Sequence, residues 1–105
     1  MRDTIKTIEL FYFDDCPSWK TTLQYINEIL GEGGIDGEIR LLRIETNVEA
    51  ARFQFPGSPT IKIDGQDLFP TNQTQYALGC RVYQTPQGFK GTPTKSMIAE
   101  KIAET

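Results

Sequence analysis

A strand, a helix and a second strand within residues 5–45 constrain the fold of this chain more than any other feature. Residues 5–13 are rich in β-branched and aromatic side chains and end in a nearly continuous apolar run, which is typical of a strand buried on both faces. A helix is predicted from Pro17, because proline is favoured at the first helical position. Its apolar face is formed by Trp19, Leu23, Ile26 and Leu30. A glycine cluster ends this helix, and a second strand at 38–45 completes a βαβ unit with parallel pairing and a right-handed crossover.

The rest of the chain predicts further short elements separated by clear turn signals. Thr46 and Glu49 have the spacing of a capping box, which opens a short helix. The Asp64–Gly65 pair is a strong hairpin signal. The predicted elements after the βαβ unit are, in order, a helix from Thr46, a strand at 60–63, a turn at 64–65, a loop over most of 66–79, a strand at 80–84 and a helix that starts near 92–94.

This order predicts an α/β fold with the succession βαβαββα. The later strand is expected to pair antiparallel, which gives a mixed sheet of about four strands with helices on both faces. A length of 105 residues suits one domain, so residues 1–105 are predicted to form a single unit.

The chain contains two cysteines and no histidine, which removes several kinds of chemistry. Catalytic pairs of serine or cysteine with histidine, and zinc sites with imidazole ligands, are excluded. Two cysteines are also too few for an all-thiolate structural zinc site. No metal site of that kind and no bound cofactor are predicted, and reactive chemistry is left mainly to Cys16 and Cys80.

Charge and hydropathy predict that neither nucleic acid nor a membrane is a partner of this protein. The formal net charge is −3 and the basic residues are scattered, so we expect no nucleic-acid binding. No apolar run approaches the ~18 residues that a membrane-spanning helix needs. The first residues lead into the predicted strand without a signal-peptide pattern. These features predict a cytoplasmic protein, where thiols are usually reduced, and a structural disulfide is not expected. The sequence does not define an oligomeric state.

Three short segments carry a resemblance to a known superfamily. Cys16-Pro17-x-Trp19 follows the first predicted strand, Gly-Ser-Pro-Thr occupies 57–60 before the third strand, and Cys-Arg-x-Tyr occupies 80–83. With the order of elements, these segments resemble thioredoxins and glutaredoxins, and more narrowly a group of small bacterial thioredoxin-family proteins. The resemblance implies a thioredoxin-like fold, a cis peptide bond before Pro59 and a reactive thiol at Cys16.

The sequence departs from the superfamily where the second cysteine of the Cys-x-x-Cys motif would stand. Trp19 occupies that position, and a tryptophan cannot attack a mixed disulfide to release the product. Trp19 is expected to pack in the core, or alternatively to wall the groove beside Cys16. Cys16 is predicted as the N-cap residue of the helix, whose positive end favours the thiolate. Nearby Asp14 and Asp15 favour the protonated thiol instead.

The resemblance also implies a substrate site. In the superfamily the cis-proline loop faces the cysteine and offers backbone groups to an extended thiol substrate. Here those groups come from Ser58, Pro59 and Thr60, with Pro17 and Trp19 beside the thiol.

The sequence allows two interpretations of Cys80. It is either an inert cysteine at a strand start, expected away from the cis-proline end of the sheet, or a distant partner of Cys16.

Three functions remain open at this level. The first is a monothiol oxidoreductase or thiol-substrate binder, in which Cys16 attacks a disulfide of a peptide or small molecule. A low-molecular-weight thiol such as glutathione would complete its turnover. The second is a soft-metal or organometal binder that uses Cys16 and Cys80. The third is an interaction module that kept the fold and lost the chemistry.

Overall fold

A computed structural model describes residues 6–71 and 76–105. Its elements are β1 (Lys6–Tyr12), α1 (Ser18–Gly33), β2 (Gly37–Arg43), α2 (Asn47–Arg52), β3 (Thr60–Ile63), β4 (Gln66–Asp67), β5 (Tyr83–Thr85), β6 (Gly88–Lys90) and α3 (Lys95–Ala103). The predicted first strand, the three predicted helices and the strand at 60–63 are all present. The predicted strand start at Ile5 and residues 72–75 of the predicted loop lie outside the described residues.

Four strands form one mixed sheet in the order β2-β1-β3-β4. β1 pairs with β2 in parallel, and Ile8 lies opposite Ile39. On its other side β1 pairs antiparallel with β3, where Ile8 lies opposite Ile63. β1 is therefore a central strand, which explains its apolar run. The expectation of a mixed α/β fold with a four-stranded sheet is confirmed.

The fourth strand of this sheet is not the segment that the sequence suggested. Asp64 and Gly65 both have positive φ, +54° and +81°, which suits a tight hairpin turn. The chain therefore returns at once, and β4 pairs antiparallel with β3. The expectation that 80–84 joins the sheet is wrong: β5 starts only at Tyr83 and pairs with β6 in a separate two-stranded sheet.

Successive side chains of β1 point to opposite faces of the sheet, and each face has its own core. The first core consists of Ile8, Leu10, Ile26, Ile29, Ile61, Ile63, Leu68, Ile98 and Ile102. The second core consists of Phe11, Ile44, Ala50 and Phe55. Because the first core includes residues of α1 and α3 and the second includes a residue of α2, the helices lie on both faces, as predicted.

The sequence signals at the helix ends work as predicted in most cases. The Thr46 hydroxyl accepts a hydrogen bond from the Glu49 N–H at the start of α2 (3.1 Å). The Thr94 hydroxyl accepts one from the Met97 N–H at the start of α3 (3.1 Å). α1 ends at Gly33, and its C-cap residue Gly34 has a φ of +61°, which is left-handed and favours glycine. The start of α1 differs and is described with the site.

Ion pairs and a hydroxyl contact hold α3 against α1. The Lys95 ammonium lies 3.0 Å from a Glu28 carboxylate oxygen and 2.8 Å from one of Glu32. Near the start of α1, the Thr22 hydroxyl lies 2.5 Å from the hydroxyl of Thr92, which precedes α3. Hydrogen bonds from Gln24 and from Lys95 lower the pKa of Glu28. These contacts attach both halves of α1 to α3 and to the residues just before it.

Candidate functional site

The two cysteines of the chain are joined in a disulfide. Cys16 and Cys80 are 64 positions apart in the sequence, with an S–S distance of 1.99 Å and a Cα–Cα distance of 5.7 Å. A structural disulfide was not expected, and this finding corrects that expectation. Of the two interpretations of Cys80, the structure agrees with a distant partner of Cys16 and not with a cysteine away from the cis-proline end of the sheet. The reason is that the segment before β5 runs beside the loop that precedes β3.

Cys16 lies in a turn between β1 and α1. Its N–H donates to the carbonyl of Phe13 (3.0 Å), which closes the turn before the helix begins. The N-cap residue is Pro17, which has helical dihedral angles and whose carbonyl accepts from the Lys20 N–H (3.0 Å). The expectation that Cys16 is the N-cap is therefore wrong by one position. Cys16 is 3% exposed, whereas Asp14 beside it is exposed.

The loop before β3 contains the expected cis peptide bond between Ser58 and Pro59. Ser58 pairs in parallel with Cys80 through an isolated bridge. The Ser58 N–H donates to the Gly79 carbonyl, and the Ser58 carbonyl accepts from the Arg81 N–H, both at 2.9 Å. The backbone groups that the resemblance assigns to a substrate are thus occupied by the chain's own segment 79–81.

Glycine at position 57 allows this close approach. Gly57 is buried and has a φ of +134°, which side-chain-bearing residues rarely adopt. A Cβ atom at this position would lie 2.9 Å from the Cβ of Arg81. The absence of a side chain at Gly57 therefore lets residues 79–81 lie directly against the proline loop.

The side chain of Arg81 fixes the segment that carries Cys80. The side chain is 9% exposed, and its guanidinium lies 2.9 Å from a carboxylate oxygen of Asp67. It also donates to the Thr60 hydroxyl (3.1 Å) and to the carbonyl of Phe69. The Thr60 hydroxyl in turn donates to the Gly57 carbonyl (2.6 Å). Arg81 thus joins the cysteine segment to β3, β4 and the proline loop.

Tyr83 adds a second attachment to the same loop. Its buried hydroxyl donates to the Pro59 carbonyl at 2.5 Å, and its ring packs edge-on against Phe69 with centroids 5.4 Å apart. The Arg81 guanidinium lies over the Tyr83 ring, 4.5 Å from its centroid. Burial raises the pKa of the Tyr83 phenol well above its usual value. The phenol therefore remains a hydrogen-bond donor across the physiological pH range.

The other predicted site residues surround the disulfide less directly. Trp19 packs partly buried against the first core, as expected, and stacks on Tyr12 with ring centroids 4.2 Å apart. Pro17 is exposed. The Trp19 indole N–H and the Ser58 hydroxyl are buried without a hydrogen-bond partner among the residues that the structure describes. Whether Trp19 walls a substrate groove stays a prediction.

Three contributors to the site were not identified from the sequence. Arg81 and Tyr83 were noted in the Cys-Arg-x-Tyr segment but were given no role, and Asp67 was placed in a loop. The available signal was the arginine between Cys80 and Val82, in a stretch that otherwise reads as a strand. A cation in such a stretch is rarely buried without a partner. That partner is Asp67, which only the turn at 64–65 brings close.

No family model, curated protein or solved structure matches this chain at a significant level. Within residues 6–71 and 76–105, no helix is long and apolar enough to cross a membrane. The same residues contain no cluster of three or more cysteine, aspartate, glutamate or histidine side chains that could hold a metal ion.

Proposed function

We propose that this protein is a thiol–disulfide exchange protein of thioredoxin-like fold, in which Cys16 and Cys80 form the redox couple. The observation that carries the proposal is the disulfide between these two residues beside the cis-proline loop. A distant second thiol replaces the one that Trp19 displaces from the usual motif. The sheet order β2-β1-β3-β4, with the cis-proline directly before β3, supports the thioredoxin-like assignment.

The reaction is a two-electron exchange. The Cys16 and Cys80 thiols reduce a disulfide RSSR to two RSH molecules and become the Cys16–Cys80 disulfide. Two molecules of a low-molecular-weight thiol such as glutathione reverse the change, and they leave as their own disulfide. Each step is attack of a thiolate on a disulfide sulfur, with a thiolate as the leaving group. No metal or bound cofactor takes part.

The cellular location belongs to the same proposal. We place the protein in the cytoplasm, where disulfides are usually transient and catalytic or redox-sensing. A disulfide that opens and closes during exchange is compatible with that compartment, whereas a permanent one is not expected there.

A redox titration tests the proposal against a purely structural role for the disulfide. The protein is equilibrated in glutathione and dithiothreitol buffers of known potential, and free thiols are counted by alkylation and mass spectrometry. We expect a reversible midpoint above about −300 mV, because structural disulfides typically lie below that value. A midpoint well below it would assign the bond a structural role and contradict the proposal.

Turnover with a disulfide peptide and glutathione separates the two-cysteine reaction from a monothiol one. Cys80→Ser and Cys16→Ser are matched single-thiol variants. Both are expected to lose most of the peptide-reducing activity, because each lacks one half of the couple. Undiminished turnover by Cys80→Ser would instead support the monothiol mechanism, with Cys16 acting alone.

A second candidate function is a soft-metal thiolate site. The sulfurs of Cys16 and Cys80 are adjacent, which is the geometry that the metal hypothesis requires once the disulfide is reduced. Titration of the reduced protein with Hg²⁺, followed by ultraviolet charge-transfer absorption, tests it. We expect the wild type to retain one equivalent against competing glutathione, and both single variants, which offer one thiolate each, to lose it.

A further inference from the structure

The two cysteines of the disulfide differ in their exposure to solvent. Cys16 is 3% exposed, whereas Cys80, in the segment 79–81, is exposed. A disulfide opens when a thiolate reaches one of its sulfurs, and access helps to decide which sulfur is attacked. In the oxidised protein, Cys80 is therefore the more exposed of the two cysteine residues.

We propose that Cys80 is the cysteine that meets the external thiol or disulfide, and that Cys16 is the buried resolving cysteine. The inference rests on the proposed function and assigns the roles within it. It reverses the role that the resemblance gives to Cys16. Cys16 then occupies the position of the family motif, whereas Cys80 reacts with the external substrate.

The exchange runs in both directions by attack of a thiolate on a disulfide sulfur. An external thiolate RS⁻ attacks the sulfur of Cys80, the bond to Cys16 breaks, and Cys16 leaves as a thiolate with the electron pair. A second RS⁻ attacks the sulfur of the R group, which forms RSSR and leaves Cys80 as a thiolate. In the reverse direction the Cys80 thiolate attacks RSSR and expels RS⁻, and the Cys16 thiolate then attacks Cys80 and expels the second RS⁻.

The surroundings of Cys16 suit a leaving and resolving group. It directly precedes the N-cap of α1, a helix of 16 residues, and the positive end of a helix stabilises negative charge. Cys80 is held near it by contacts that do not involve the disulfide, namely the backbone pairing with Ser58 and the guanidinium of Arg81. A reactant held in place in this way acts at a high effective concentration, so Cys16 resolves a mixed disulfide at Cys80 before the segment moves away.

The site of the mixed disulfide tests this assignment. Oxidised wild-type protein is mixed with glutathione, the exchange is stopped with acid after short times, and free thiols are blocked with N-ethylmaleimide. Peptic digestion and mass spectrometry then locate each adduct. We expect glutathione on Cys80 and maleimide on Cys16 in at least about tenfold excess over the opposite arrangement. Equal labelling, or glutathione mainly on Cys16, would overturn the inference.

A second measurement ranks the two sulfurs when the mixed disulfide is too short-lived to map. Cys16→Ser and Cys80→Ser are each loaded with 2-nitro-5-thiobenzoate on the remaining cysteine, and its release by glutathione is followed by absorbance. Release is expected to be about tenfold faster from Cys80 than from Cys16. Faster release from Cys16 contradicts the assignment. A wild-type disulfide that glutathione never opens contradicts the proposed function instead, so the two failures are distinguishable.

Discussion

Reduction of the Cys16–Cys80 disulfide should cost the protein a large part of its stability. The bond joins residues 64 positions apart. In the chain-entropy model, closing a loop of that length lowers the conformational entropy of the unfolded chain. This raises the free energy of the unfolded chain by about 4 kcal/mol. Because Ser58 and Arg81 hold the segment in place without the bond, the native state loses little on reduction. The free energy of unfolding should therefore fall by about 4 kcal/mol.

Urea denaturation of the oxidised protein and of the protein in dithiothreitol measures this difference. For a domain of this size the same change lowers Tm by about 15–20 °C. The Cys16→Ser/Cys80→Ser double variant is the matched control, because it lacks the bond permanently. It should match the reduced wild type in stability, and dithiothreitol should leave it unchanged.

A thermodynamic cycle gives an independent check of the magnitude. If the bond stabilises the fold by about 4 kcal/mol, it must form about 10³-fold more readily in the folded chain than in the unfolded chain. Glutathione equilibria in buffer and in concentrated urea measure that ratio directly. Oxidised and reduced proteins that differ by less than about 1 kcal/mol, with a ratio near one, would refute the loop-closure reasoning.

Three further predictions concern the contacts that seat Cys80. Arg81→Met removes the cation from beside the Asp67 carboxylate, whose side chain is only 15% exposed, so the free energy of unfolding should fall by about 3 kcal/mol in urea denaturation, and Arg81→Lys should recover part of the loss. Tyr83→Phe removes a buried hydrogen bond and should cost about 1–2 kcal/mol. Because burial raises the pKa of the Tyr83 phenol, the unfolded chain releases that proton first. Wild-type stability should therefore decline above about pH 10, by up to about 1.4 kcal/mol per pH unit, and Tyr83→Phe should lose this part of the decline. Gly57→Ala places a Cβ 2.9 Å from the Cβ of Arg81 and should cost more than about 1 kcal/mol while weakening disulfide formation in glutathione buffers. Its control Gly79→Ala meets nothing within 4 Å and should change stability by less than about 0.5 kcal/mol; equal effects of the two alanines would contradict the close approach at residue 57.

Local patterns in the sequence predicted the elements whose causes are local. The apolar run of the first strand, the Thr46–Glu49 spacing and the glycines after residue 30 each act within a few positions of the structure they define. The short strand Thr60–Ile63 was found with the same bounds, because alternation and the following turn both mark it. The cis bond before Pro59 came from the resemblance, since composition alone gives it a low frequency.

The arrangement around Cys80 could not be read in the same way. Its surroundings are set by Ser58 and Asp67, which lie 22 and 13 positions earlier in the chain. Alternation in 80–84 indicates an extended segment but does not specify the strand with which it pairs. The two-residue strand β4 occupies the place in the sheet that was predicted for residues 80–84. It does so because the turn at 64–65 brings the chain back beside β3 immediately. The pairing of the cysteines follows from these long-range choices.

The disulfide also separates the strands of the sheet into those inside and those outside a covalent ring. The covalent ring from Cys16 to Cys80 contains β2 and β3, whereas β1 lies outside it and between them. The two thiols meet in their native positions once β1 has taken its central place, because Cys16 follows β1 and Ser58 precedes β3. In the folded chain the sheet order therefore favours this pairing, which forms about 10³-fold less readily in the unfolded chain.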